Sequence, residues 1–271
     1  MTSLQEIEKQ LNSHLNCECL AAAEACKNIR VPKQKIHTWI KAKKWPWRLA
    51  AVYACFNTGE VDFEIIERGA EDRDYDVQDA VAELCRNVSL CIPVEKIATW
   101  MKSENENLRR AAMYACDWQK YSVTCEVLKL GLNDKDGEVA IAAAKACQGA
   151  DVPFEQILSW AESPSWAERL ASIYACMRRK DFYPLDILEK KLTDSDNLVH
   201  CTAIEAYARA PISAHKISSW AKSEIWQKRA AAMMASIGRV DIPEKIITKG
   251  LKDREHKVRK YAGKAADQTT E

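Results

Sequence analysis

The sequence predicts an all-α fold, an α-solenoid of paired helices, and three observations carry that reading. Aligned on their Trp residues, four stretches read WIKAKKWPWRLAAVYAC from Trp39, WMKSENENLRRAAMYAC from Trp100, WAESPSWAERLASIYAC from Trp160 and WAKSEIWQKRAAAMMAS from Trp220. They recur about every 60 residues with no internal gap. Each block then splits into two related halves, because LNDKDGEVAIAAAKAC (132–147) aligns on MKSENENLRRAAMYAC (101–116). Within every half the apolar residues return at helical spacing, first over a short segment and then over an Ala-rich longer one.

Taken in order, the chain opens on SLQEIEKQL, similar to PLDILEKKL from Pro184. That predicts a short helix capped by Ser3, the terminal half unit 1–10. Four double repeats follow at approximately 11–69, 70–131, 132–191 and 192–250, about eight helix pairs in all. LKDREHKVRKYAGKAA then supplies the long helix of a last half unit, 251–268, with a frayed tail from Asp267. The short helices are expected to start with Pro32, Pro93, Pro153, Pro184 and Pro243 at their first position, where a missing N–H costs nothing. Val31, Ile92, Val152 and Ile242 precede four of these prolines and suit a hydrophobic staple. No Gly-rich hinge or low-complexity segment interrupts 1–271, which reads as one domain.

An apolar content of 47% over 271 residues is enough to bury a large core. With 40 Lys and Arg against 39 Asp and Glu, no global field draws the protein to nucleic acid or to an anionic membrane. The charge is uneven along the chain: residues 60–83 hold ten acids against two bases, and 222–264 twelve bases against five acids. The opening residues have no apolar signal-like core and no later stretch is apolar enough to span a bilayer, so a cytoplasmic protein without membrane partners is expected. Cys26, Cys55, Cys85, Cys116, Cys147 and Cys176 share one repeat position, occupied by Ser236 and Ala266 later, and read as small core residues in a reducing setting.

LKDREHKVRKYAGKAA and LNDKDGEVAIAAAKAC resemble the second half of a HEAT repeat, in which a turn Asp precedes a Val-Arg-x-x-Ala-Ala helix. The resemblance covers nearly the whole chain and implies a curved superhelix whose second helices line the concave side. It implies little about function, since HEAT-like repeats serve scaffolds, transport receptors, lyases and DNA-repair proteins. This chain departs from the pattern by alternation. Arg48, Arg109, Arg169 and Arg229 occur in the halves that follow Trp, whereas the alternate halves have Gln78, Ala140 and His200 there. The turn Asp does the reverse, with Asp72, Asp134, Asp194 and Asp253 facing Ala42, Ser103, Ser163 and Ser223. The repeating unit is therefore the pair.

Three rows of residues are candidates for function. The Arg row offers bidentate forks that could track a polyanion, or could bond the turn Asp residues of neighbouring halves; for Arg109 those would be Asp72 and Asp134. Trp39, Trp100, Trp160 and Trp220, with Trp45, Trp166 and Trp226 six residues on, could stack on bases or sugars, or pack between helices. Trp118 and Tyr121 fall outside the pattern and are surface-contact candidates. The third row follows from taking Leu108, Ala111, Ala112 and Ala115 as the core stripe, which puts Arg110, Met113 and Asp117 on the opposite face. Its equivalents are Leu49, Val52 and Phe56; Leu170, Ile173 and Met177; and Ala230, Met233 and Ile237. A helix apolar all round is either buried or awaits a partner.

The sequence points to a non-catalytic protein-binding scaffold that uses this apolar row as a concave groove for a partner helix or peptide, or for a second copy. The alternative is nucleic-acid binding or DNA repair of the HEAT-like alkylation-repair type, with Arg48, Arg109, Arg169, Arg229 and Trp118 as contacts and Asp117 as the nearest acidic residue to an aromatic. No cofactor is expected, since phosphate-cradling Gly loops and recognisable Ser/His/Asp constellations are absent. His14, Cys17, Cys19 and Cys26 resemble zinc ligands in composition, but their spacing within a helix does not converge four ligands, and no metal is expected.

Overall fold

A computed structural model of the chain describes residues 3–58, 62–87, 92–118, 124–177 and 184–267, the side chains of 117 and 118 excepted. Those residues form eighteen α-helices and no strand. The fold is all-α. Short helices are α1 (Leu4–Gln10), α3 (Lys33–Trp39), α5 (Phe63–Ala70), α7 (Val94–Trp100), α9 (Cys125–Leu132), α11 (Phe154–Ala161), α13 (Leu185–Lys191), α15 (Ala214–Trp220) and α17 (Glu244–Leu251). They alternate with longer ones: α2 (Asn16–Ala25), α4 (Trp45–Ala54), α6 (Tyr75–Cys85), α8 (Glu106–Trp118), α10 (Gly137–Ala146), α12 (Trp166–Met177), α14 (Asn197–Ala206), α16 (Trp226–Ala235) and α18 (His256–Asp267).

The contacts divide the chain into two compact units, Met1–Asp151 and Val152–Glu271. In the first, α2, α4, α6, α8 and α10 each pack on the next, and every long helix is backed by the short helix before it. Some also touch the short helix that follows, as α4 does α5 and α8 does α9. In the second unit α12, α14, α16 and α18 follow one another in the same way.

Local chemistry sets the helix boundaries. Ser3 accepts the Glu6 N–H at 3.2 Å, which caps α1 as the sequence predicts. The prolines sit one residue earlier than predicted, at the N-cap rather than the first helical position. Pro93 has φ −58 and ψ 142, outside the helical region, and its carbonyl accepts the N–H groups of Lys96 at 2.9 Å and Ile97 at 3.1 Å, the first bonds of the helix. Before the alternate long helices the turn uses two acids in succession. Asp134 accepts the Asp136 N–H at 2.9 Å, and Asp136 in turn accepts those of Glu138 and Val139, both at 3.0 Å, as the cap of α10.

The repeat-position thiols are core, as their register predicts: Cys26, Cys55, Cys85, Cys116, Cys147 and Cys176 are all buried free thiols. Cys116 points back at the Ala112 carbonyl at 3.2 Å and Cys147 at Ala143 at 3.3 Å, one helical turn earlier. Ser236 makes the same bond to Ala232 at 2.7 Å, which is why Ser replaces Cys at that position without an unpaired hydroxyl. Burial pushes the Cys26, Cys55 and Cys85 thiols up to about 12, so they stay protonated.

Candidate functional site

The apolar row does not line an open groove. Leu49, Val52, Met113, Leu170, Ile173, Ala230 and Met233 are 0 to 1% exposed, while Phe56, Arg110, Met177 and Ile237 are partly exposed. Neighbouring short helices account for the burial. A Cβ added to Gly131 on α9 would lie 2.5 Å from the Met113 sulfur, one on Gly69 of α5 would lie 3.3 Å from Val52, and one on Gly250 of α17 would clash with Met233. In these three places the row fills the space beneath the next short helix, which drops its side chain to admit it; α13 has Lys191 at the equivalent position. Two rows on opposite sides of the long helix are core. The side chains of Asp117 and Trp118, and Tyr121, lie outside the described residues.

The Arg row is internal as well. Arg109 Nε and Nη2 donate to Asp134 at 2.7 and 3.0 Å, and Nη1 donates to the Ser103 and Glu104 carbonyls at 2.8 and 2.9 Å. Arg48 repeats this with Asp72, Ala42 and Lys43, Arg169 with Asp194, Ser163 and Pro164, and Arg229 with Asp253, Ser223 and Glu224. Each guanidinium thus closes the turn of its own half and grips the turn Asp of the next. Pairing runs forward only: Asp72 belongs to Arg48, so Arg109 does not reach it. Four of the five N–H donors of each Arg are used within the chain, which removes the row as a set of phosphate contacts.

These pairs carry a pH dependence with a definite sign. Desolvation pushes the Asp134 and Asp194 carboxyls up, but hydrogen bonds from Arg109 and Arg169 and from the turn N–H groups outweigh it, and both titrate below the ordinary carboxylate range. The bond from Arg229 is the largest influence on Asp253 and lowers it too. A carboxyl depressed in the folded state stabilises the fold above its unfolded value, about 3.9, and that stability is lost as pH falls through the lower folded value. Melting temperature should therefore be level above roughly pH 5 and fall steeply below about pH 4. Asp134→Asn should melt lower at neutral pH and show a shallower acid decline.

The first Trp set is packed between helices. Trp39, Trp100, Trp160 and Trp220 are at most 6% exposed. Trp100 Nε1 donates to Glu67 at 2.8 Å while Lys96 holds the same carboxylate at 2.5 Å, and Trp39 meets Trp47 edge-on at 5.2 Å. Trp45, Trp166 and Trp226 are half-buried. Of the suggested zinc ligands, His14 and Cys17 are exposed, whereas Cys19 and Cys26 point at backbone carbonyls. Among the described residues no group of three such side chains converges, and no helix is long and apolar enough to cross a membrane.

Along the first unit runs a strip of aromatic and charged side chains, from the buried Tyr53 to the exposed Arg86. Lys27 Nζ lies 4.1 Å from the Tyr53 ring centroid and 5.3 Å from that of Phe56, and bonds both Glu83 oxygens at 2.7 and 2.8 Å. Burial, then the nearby Glu83 and Glu24, push Tyr53 up to about 12 and keep it a neutral phenol. One helix further on, the Arg86 guanidinium stacks on Tyr114 with Cζ 3.6 Å from the centroid. Arg110, beside it on α8, donates to Asp79 at 3.3 Å and to Asn107 at 3.0 Å. Arg86 is exposed, and its guanidinium has no hydrogen-bond partner among the described residues. The sequence already held a signal for this strip, since Tyr53, Tyr114 and Tyr174 recur five residues after the row Arg in successive Trp-led halves.

No protein-family model matches this chain, and no curated protein matches it in sequence.

Proposed function

We propose that this chain is a HEAT-like α-solenoid of paired repeats that acts in the cytoplasm as a non-catalytic protein-binding scaffold. Its binding surface on this reading is the aromatic and charged strip of the first unit rather than the buried apolar row. The observation that carries the proposal is Arg86, an exposed guanidinium stacked on Tyr114 with no hydrogen-bond partner among the described residues. A stacked guanidinium is pre-oriented and presents its planar fork outward, the geometry that matches a carboxylate. Lys27 is paired with Glu83 and Arg110 with Asp79, so the strip offers the isolated fork of Arg86 rather than a continuous basic track. That favours an acidic segment of a partner protein over a nucleic-acid backbone, which needs many phosphate contacts at once.

Selection of displayed random peptides on the intact protein tests this reading. Enriched peptides should contain Asp or Glu, and Arg86→Ala or Tyr114→Leu should weaken them by roughly tenfold, the loss of one charge-assisted bidentate contact. Peptides that bind both variants as well as the parent would remove the strip as the site. Tight, salt-sensitive binding of a single-stranded oligonucleotide in a parallel measurement would favour the nucleic-acid reading instead.

A further inference from the structure

In the second unit α14 and α18 bring a thiol and an amine together beside Trp226. Lys257 Nζ lies 3.1 Å from Cys201 Sγ and donates to Asn197 Oδ1 at 2.8 Å. The same ammonium lies 5.3 Å from the Trp226 ring centroid, and the His200 ring stands T-shaped to that indole with centroids 5.6 Å apart. Among the described residues the other lysines set against Trp rings, Lys96, Lys216 and Lys228, each have a Glu carboxylate within 3.0 Å. Among the described residues Lys257 donates only to the neutral Asn197 and the thiol. Cys201 is also unlike the repeat-position cysteines, because it is half-exposed and does not donate to a backbone carbonyl of its own helix.

We infer that Cys201 and Lys257 form an oxidation site at which a hydroperoxide converts the thiol to a sulfenic acid and the lysine then closes a sulfur–nitrogen bond. In the first step the deprotonated sulfur attacks one peroxide oxygen, the O–O bond breaks, and the departing oxygen takes the thiol's proton as water or an alcohol. The ammonium at 3.1 Å is placed to hold the charge on the attacking sulfur. In the second step Nζ, having given up a proton to solvent, attacks the sulfenic sulfur. The S–O bond breaks and the oxygen leaves as water with the second nitrogen proton. The product is a sulfenamide joining α14 to α18 across Trp226. An external thiol reverses it by attacking sulfur and releasing the amine, and a second thiol then frees Cys201.

The internal comparison is Cys17, which is more exposed and has no cation within hydrogen-bond distance among the described residues. Hydrogen peroxide is added to the intact protein in the presence or absence of a sulfenic-acid trap, and the peptides are mapped by mass spectrometry. Cys201 should be trapped at least about tenfold faster than Cys17. Without the trap, the peptides carrying Cys201 and Lys257 should appear joined and lighter by two hydrogens than their sum, and dithiothreitol should separate them. Lys257→Arg keeps the charge and should keep fast trapping but give no joined peptide; Lys257→Met should lose both. Equal trapping of Cys201 and Cys17 in the parent protein, or passage of Cys201 to the sulfinic acid with no joined peptide, would overturn the inference whatever the variants do.

Discussion

Ile173→Asp is expected to leave the protein unfolded or aggregated, with a loss of roughly 4 kcal/mol or more, because it puts an unpaired carboxylate into apolar core. Ile173 is fully buried on α12, and its register equivalents Val52, Met113 and Met233 lie under the glycines of the following short helices. Equilibrium unfolding in urea, followed by circular dichroism, measures the loss. Leu130→Asp is the control, since Leu130 is 51% exposed and the change should stay within about 0.5 kcal/mol. A stable Ile173→Asp protein would reopen the groove that the sequence invited.

The second large effect is expected for Arg109→Ala, at about 3 kcal/mol. Removing this side chain strands the Asp134 carboxylate, 7% exposed, together with the Ser103 and Glu104 carbonyls it had gathered. The cost comes from those abandoned partners more than from the pair's own attraction, which burial largely offsets. Arg109→Lys should recover less than half, because an ammonium cannot span a carboxylate and two carbonyls that a planar fork meets together.

How far the sequence could be read follows from these residues. The alternation of Arg109 with Asp134, and of Arg48 with Asp72, was visible in the aligned copies and pointed to complementary partners. Its direction was not, because either neighbouring Asp satisfies the same pattern and only the packing shows each Arg reaching forward. In the sequence the apolar row reads as a groove for a related reason. A single helix wheel assumes one covered face, but α4 has α2 and α6 on its flanks with α3 and α5 also packed against it, so Leu49 and Val52 are as buried as Ala50 and Ala51. Gly69 and Gly131 were the overlooked signal, since a glycine inside a short helix costs stability unless something must approach it closely. The strip around Arg86 was hidden differently: Tyr53 and Tyr114 recur in the alignment, but stacking between Tyr114 and a cation from the preceding half is a property of two helices together.

Buried Arg–Asp forks lock successive halves together, and a double-mutant cycle on Arg109 and Asp134 tests that most directly. The reference pair is Arg254 and Glu224, 3.7 Å apart with side chains 75% and 96% exposed. A coupling of about 2 kcal/mol for Arg109 with Asp134, beside none measurable for the reference, is the predicted result. A coupling for the buried pair no larger than for the exposed one, with Arg109→Ala near neutral, would contradict it.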